Sequence, residues 1–274
     1  MSEASRSRGV DAREARSLPL RATLLSLAIL VVLLGAWELA TSGANKTRAG
    51  LPAPSQVAAY AVGELAHPFY DNGPNDKGIG IQLAFSIARV LSGYAIAALL
   101  AIPLGFLMGM SPLWQRALGP FIQVLKPISP LAWMPLALYT IRDSTLSSIF
   151  VIFICSIWPM LINTAFGVAS VRRNLIDVAR THELSKWETA IRVILPAAAP
   201  TILTGMRISI GISWLVIVAA EMLVGGTGIG YTVWNEWNNL NLNSVIFSIG
   251  MIGLIGVAFD QVLARAIRAV QYVD

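Results

Sequence analysis

The feature that most constrains this chain is a series of long apolar runs, at roughly residues 22–41, 83–110, 117–141, 146–168, 200–224 and 245–267. Each holds about the ~20 residues that a helix needs to cross the hydrocarbon core of a bilayer. Lipid offers a backbone no hydrogen-bond partner, so such runs predict an all-α integral membrane protein of about six transmembrane helices. Composition agrees: 55% of the 274 residues are hydrophobic and 13% charged, and the mean hydropathy is +0.66, too apolar for a soluble domain. Arg6, Arg8, Arg13, Arg16 and Arg21 precede the first run, in the manner of a secretory signal. Its apolar stretch is longer than a signal core and no small-x-small cleavage site follows, which predicts an uncleaved anchor.

The Lys and Arg of the short connections set the expected orientation. One set of connections holds the N-terminal arginines, Arg116, then Arg172, Arg173, Arg180, Lys186 and Arg192, and finally Arg265 and Arg268; the opposite set holds Lys46, Arg48, Lys77 and Arg142. Positive residues stay inside, so both termini and the 170–197 loop are predicted cytoplasmic, and 43–80 and Gly225–Asn243 external. The expected division is a cytoplasmic segment 1–21, an anchor 22–41, a periplasmic loop 42–81, a transmembrane domain 82–269 and a cytoplasmic tail 270–274.

Between the fourth and fifth runs lies a polar stretch with more structure than a connector needs. Asn174 and Asp177 are suited to cap one short helix, and Ser185 with Glu188 forms the capping-box pattern of a second. Leu184, Trp187, Ile191 and Ile194 fall on one face of that second helix, with Lys186, Glu188 and Arg192 elsewhere, and Pro196 is expected to end it. An amphipathic cytoplasmic helix calls for a partner surface.

Other chemistry is sparse. There is no phosphate-binding G-x-x-x-x-G-K-[ST] sequence, and the glycines at 225–230 read as a tight turn. His67 and His182 fall in loops on opposite sides, no metal-ligand spacing occurs, and the enzyme reading is weak. Cys155 lies in an apolar run and reads as core. The basic residues are dispersed, which excludes a nucleic-acid surface despite a pI near 9.7. The third run is interrupted in Lys126-Pro127-Ile128-Ser129-Pro130-Leu131-Ala132-Trp133-Met134-Pro135, so carbonyls freed at membrane depth need protein or cavity water. A pathway-lining helix is expected there, against the simpler reading of a buried kink. Arg89, at the external third of the second run, is either a cation facing an anion vestibule or a structural partner. Arg207 reads as a snorkelling residue or a ligand, and Glu221 as a helix-tying partner. For Trp158, Pro159, Asn163, Ser209 and Ser213, packing is the simpler account and pathway polarity the other.

Asp177-Val178-Ala179, the helix that follows and Val193-Ile194-Leu195-Pro196 resemble the E-A-A…G…I-x-L-P loop of permeases of binding-protein-dependent ATP-binding-cassette importers. Asp177, Val178 and Val193 replace the usual Glu, Ala and Ile, and Glu183 stands where the pattern has Gly, so a differently formed turn is expected. Lys126–Leu138, Ile141-Arg142-Asp143-Ser144, Ile157-Trp158-Pro159 through Gly167 and Ile212-Ser213-Trp214 through Gly226 resemble the nitrate, bicarbonate and cyanate branch, the nitrate permeases most. The resemblance implies the type I importer permease fold in the bacterial inner membrane. It also implies a second copy of the chain, cytoplasmic ATPase subunits that bind ATP and magnesium, a periplasmic solute-binding protein and a small anion as substrate. No cofactor or metal is implied for this chain. The coupling residues it implies are Asp177, Ala179, Leu184, Trp187, Ile191, Leu195 and Pro196 in loop 174–196. The candidate pathway residues are Arg89, Lys126, Pro130, Trp133, Met134 and Ser213. A sulfonate or taurine importer is the alternative within the class, and a stand-alone channel or membrane enzyme the alternative outside it.

Overall fold

The computed structural model describes residues 3–41 and 50–270, with side chains from residue 21 onward. The chain divides at Gly63 into two compact units.

In the first unit, α1 (Glu3–Thr41) is one helix whose segment from Arg21 is long and apolar enough to cross a membrane. Leu24, Leu27, Val31 and Val32 are exposed along it, as lipid-facing side chains are. Glu38 accepts hydrogen bonds from the N–H and hydroxyl of Ser55 (3.1 and 2.9 Å) at the start of α2 (Pro54–Ala66). A carboxylate there offsets the orphan donors and positive end of a helix. The expected 42–81 loop therefore contains a helix of its own.

The second unit is a helix bundle. Its elements are α3 (Ile79–Met110), α4 (Pro112–Leu125), α5 (Pro130–Ile141), α6 (Ser144–Ala169), α7 (Arg173–Thr181), α8 (Lys186–Thr189), α9 (Leu195–Val224), α10 (Ile229–Asn238) and α11 (Leu242–Val270). Small residues set how the long helices meet. A side chain at Gly93, Gly105 or Gly109 would collide with the Cβ of Ile152, Thr164 or Val168, at 2.8, 2.7 and 2.6 Å. The same interval separates each pair, so α3 and α6 run parallel, backbone close to backbone. α9 returns antiparallel to α6: Gly167 faces Thr201 and Gly205 faces Asn163, while the Ser209 hydroxyl donates to the Ser156 carbonyl at 2.8 Å. α11 runs against α9 in turn, through Trp214 Nε1 donating to the Ile252 carbonyl (2.8 Å) and Arg207 gripping Asp260 with two 2.6 Å bonds.

Parallel α3 and α6 have their starts at one end, called here upper, and their stops at the other. The intervening chain must cross the membrane once, and it does so as the pair α4–α5, bent by 91°. Among the described residues, five helices are long and apolar enough to span alone, and this broken pair makes the sixth. The break has a local cause. Pro127 cannot donate to the preceding turn, and Ser129, ahead of Pro130, takes the extended ψ of 132° that a pre-proline residue prefers. Pro130 then opens α5 at a position where the missing N–H costs nothing.

Candidate functional site

Three assemblies lie along the bundle: one at its upper end, one at mid-depth and one at its lower end.

At the upper end Glu221 on α9 is 1% exposed and Arg89 on α3 is 7% exposed. Their side chains pair at 2.8 Å. Arg89 also donates to the Thr227 carbonyl (2.6 Å) and to Thr145 Oγ1 on α6 (3.2 Å), and stacks over Phe85. Three consecutive N–H groups opening α10 are taken by side chains: Gly228 by Gln82 (2.6 Å), Ile229 by Ser86 (2.9 Å) and Gly230 by Glu221 (3.0 Å). The Ser86 hydroxyl donates to Glu221 in addition. A Cβ at Gly228 would fall within the Glu221 carboxylate, and one at Gly230 on the Val218 carbonyl. The glycine string thus forms a tight turn that cradles the protein's own carboxylate at a helix N-terminus.

This corrects the vestibule reading of Arg89. Its charge is compensated by Glu221 and its side chain is enclosed, so it is a tie between α3, α6, α9 and the 225–230 turn. Glu221 ties helices, as the sequence suggests. Gln82, Ser86, Thr145 and Thr227 escaped sequence reasoning, because singly they are ordinary polar residues. The available signal was two opposite charges at one depth in different spans.

At mid-depth the α4–α5 break opens a cavity of about 160 Å³. Lys126, Pro130 and Trp133 line it with Cys155, Trp158, Pro159 and Ile212. Cys155 and Trp158 sit halfway along α6 and Ile212 halfway along α9, so the cavity lies near the midplane. Lys126 is exposed and has no ion-pair partner among the described residues. The start of α5 faces the same break, adding the positive end of a helix to an ammonium. The other two pathway residues lie elsewhere. Met134 is 1% exposed and packs with Ala137, Val151 and Val216. Ser213 is fully buried, 2.6 Å from the Ser156 hydroxyl and donating to the Ser209 carbonyl at 2.7 Å. These two hold α5, α6 and α9 together; period and depth alone could not separate them from lining residues.

At the lower end the 170–197 loop forms α7, α8 and a five-residue π turn, Ala190–Ile194. Residue Arg172 precedes α7 without a side-chain cap, and Asp177 lies inside the helix, 3.4 Å from Arg180. The expected caps at Asn174 and Asp177 are therefore absent, since both fall after the first helical residue. Ser185 and Glu188 do form a complete capping box. Between the helices Glu183 adopts φ +55°, with its N–H on the Arg180 carbonyl (3.0 Å) and the Leu184 N–H on the Ala179 carbonyl (3.1 Å). This is the Schellman closure that glycine usually makes. The turn at Glu183 thus has the same form as a glycine turn, with strain in place of freedom, which corrects the expectation of a different one.

Pro196 does not end the helix: the span runs unbroken from Lys186 to Val224. Proline would clash with the carbonyl four residues back, and the π turn, with the Leu195 N–H on the Ala190 carbonyl, widens the helix at that point. The wider turn also splits the expected apolar face. Ile194 is buried with Val168, Ala198 and Ile202, and Leu184 is half-buried. Trp187 (74% exposed), Ile191 and Leu195 line a wholly apolar groove of about 330 Å³ with Ile102, Pro103, Phe106 and Leu107 of α3. Ala179 is buried at the loop's base.

The family model for the inner membrane component of binding-protein-dependent transport systems matches residues 101–271. The chain belongs to this family. This inner membrane component is 43% identical over 235 residues to a nitrate import permease of Synechocystis sp., covering 86% of this chain and 84% of that one. It is 40% identical over 201 residues to a bicarbonate transport system permease of the same organism, covering 73% and 72%. Its fold matches an inward-facing methionine ATP-binding-cassette transporter with a TM-score of 0.60 at 16% identity, over 70% of this chain and 95% of that one. The permease is thus a multi-pass transport subunit of an importer class that works with ATPase and substrate-binding proteins, and not an enzyme.

Proposed function

We propose that this permease imports nitrate by alternating access, as one of two copies lining a pathway. Two cytoplasmic ATPase subunits, which bind the ATP and magnesium, receive the 174–196 loop; an external solute-binding protein delivers the anion. Both termini are cytoplasmic in this reading, and the lower end of the bundle faces the cytoplasm. The arginine-rich connections on that side and the capped, π-hinged loop continuous with α9 support it: a push on α8 passes to a helix that crosses the whole bundle. The nitrate reading is supported by the 43% identity to a nitrate permease.

The observation that carries the anion choice is the mid-depth break. A discontinuous helix near the midplane, with a helix start and Lys126 beside a cavity walled by Trp133 and Trp158, suits a small weakly hydrated anion. A space of about 160 Å³ also admits a few waters at about 30 Å³ each. Lysine supplies charge without fixed geometry, and the indoles strip part of the hydration. The test is nitrate uptake into vesicles holding the whole transporter. Lys126→Met is expected to lower uptake at least tenfold with ATPase association unchanged, and Lys126→Arg to retain most of it. Normal uptake by Lys126→Met removes the elbow from the pathway. Competition by bicarbonate stronger than by nitrate would move the substrate to the bicarbonate branch, which the second relative favours.

A further inference from the structure

A larger cavity, of about 580 Å³, lies at the lower end between the close of α3, the close of α6 and the α7–α8 loop. Arg173, Arg180 and Lys186 line it, over an apolar floor that includes Val168, Ile176 and Ile194. Among the described residues that line it, none is a carboxylate. The nearby acids do not compensate these cations. Asp177 meets Arg180 at 3.4 Å with both side chains largely exposed, a contact worth little in water. Glu188 is engaged by its own capping box and leans towards Arg192. Three cations therefore line one space that no carboxylate lines with them. The cavity stands where two spanning helices end.

We propose that this cavity binds the headgroup phosphate of an anionic membrane lipid. Basic pockets between spanning helices on the cytoplasmic side are suited to such headgroups, and each nearby cation contributes about a fivefold gain in affinity. The apolar floor discriminates among anions. A free phosphate gains nothing from Met110, Val171 and Ile176, which line the cavity and keep exposed apolar surface, whereas the glycerol and upper acyl carbons of a lipid bury that surface. The bound lipid would brace the α7–α8 loop against the ends of α3 and α6, so that a push on the loop moves the bundle and is not lost in bending it. The inference takes from the proposed function only which leaflet supplies the lipid; it needs neither nitrate nor the elbow cavity.

The experiment uses the purified permease with its ATPase subunits in nanodiscs of phosphatidylcholine, alone or with phosphatidylglycerol. Retained lipid is read by native mass spectrometry, and stability by thermal unfolding. Wild type is expected to retain phosphatidylglycerol and to melt higher in its presence. The triple variant R173Q/R180Q/K186Q should lose on the order of a hundredfold in lipid affinity, at about fivefold per cation. Arg116→Gln, which removes a lower-end cation outside both the loop and the cavity, should leave lipid retention unchanged. If the triple variant does not fold, Arg173→Gln alone carries the test with an expected fivefold loss. Undiminished lipid retention by the variants overturns the proposal. So does equal stabilisation of detergent-solubilised wild type by millimolar inorganic phosphate, which would make the cavity a soluble-anion site. Loss of ATPase association with lipid retention intact overturns it as well, by assigning the cavity to the partner. A failure of nitrate uptake with lipid binding preserved would count against the transport reading alone.

Discussion

At Glu183 the backbone is held at φ +55°, a left-handed conformation that costs an ordinary residue about 1 kcal/mol. The Schellman hydrogen bonds on either side hold it there, so Glu183→Gly should stabilise the α7–α8 turn by about that amount. Slower hydrogen exchange across 177–186 is the expected reading, and Glu183→Val should speed it; no difference between the two would show the strain is not stored in this residue. Arg89 presents the opposite case, a residue whose removal leaves a buried charge behind. Arg89→Met strands the Glu221 carboxylate, at a cost of about 3–5 kcal/mol, and the variant should fail to assemble. Adding Glu221→Gln should restore assembly, because Gln still accepts from the Gly230 N–H and carries no charge. An Arg89→Met chain as thermally stable as wild type would remove the tie from the account.

The element that joins loop to membrane is the π turn at Ala190–Ile194. It inserts one extra residue into a helix that otherwise runs from α8 into α9, and so fixes which way Trp187 and Ile191 face. Inserting one alanine after Thr189, ahead of the turn, rotates α8 by about 100° against α9. Uptake should then collapse in a chain that still inserts, while ATP hydrolysis by the complex persists; transport at the wild-type rate would mean that the facing of α8 does not matter. At the break after Leu125, two prolines three residues apart reveal an interruption in the sequence, and Lys126, Pro130 and Trp133 do meet at it. The angle was not legible, because α6 and α9, distant in sequence, wall the corner with Cys155, Trp158 and Ile212.

For the molecule as a whole, parallel packing of α3 and α6 leaves an odd number of crossings between them, which the bent pair supplies. Both the 65–78 turn and the 225–241 segment then lie at the upper end, linked by Tyr231 donating to Asn75 at 2.9 Å. The proposed orientation makes that end external. A cysteine at Asn72 should react with an impermeant thiol reagent in intact cells, and one at Asn174 should react only after the membrane is opened; both positions are exposed. The reverse pattern would invert the molecule and place the 174–196 loop out of reach of any cytoplasmic ATPase.

What the sequence determined by itself was set by period, length and local chemistry. The apolar runs specify the spans, the Ser185–Glu188 pair specifies a helix start, and the prolines at 127 and 130 specify a break, because each of these acts within a turn or two of chain. What only the tertiary structure decided depends on residues far apart in sequence. Arg89 and Glu221 neutralise each other across two helices, Ser213 meets Ser156, and Arg173, Arg180 and Lys186 line one cavity. Glu183 and Pro196 belong here too: each breaks a local rule, and the packing of α7 to α9 holds the conformation that the rule disfavours. In lipid a buried polar group must find its partner inside the protein, and which partner it finds is fixed only when the helices are side by side.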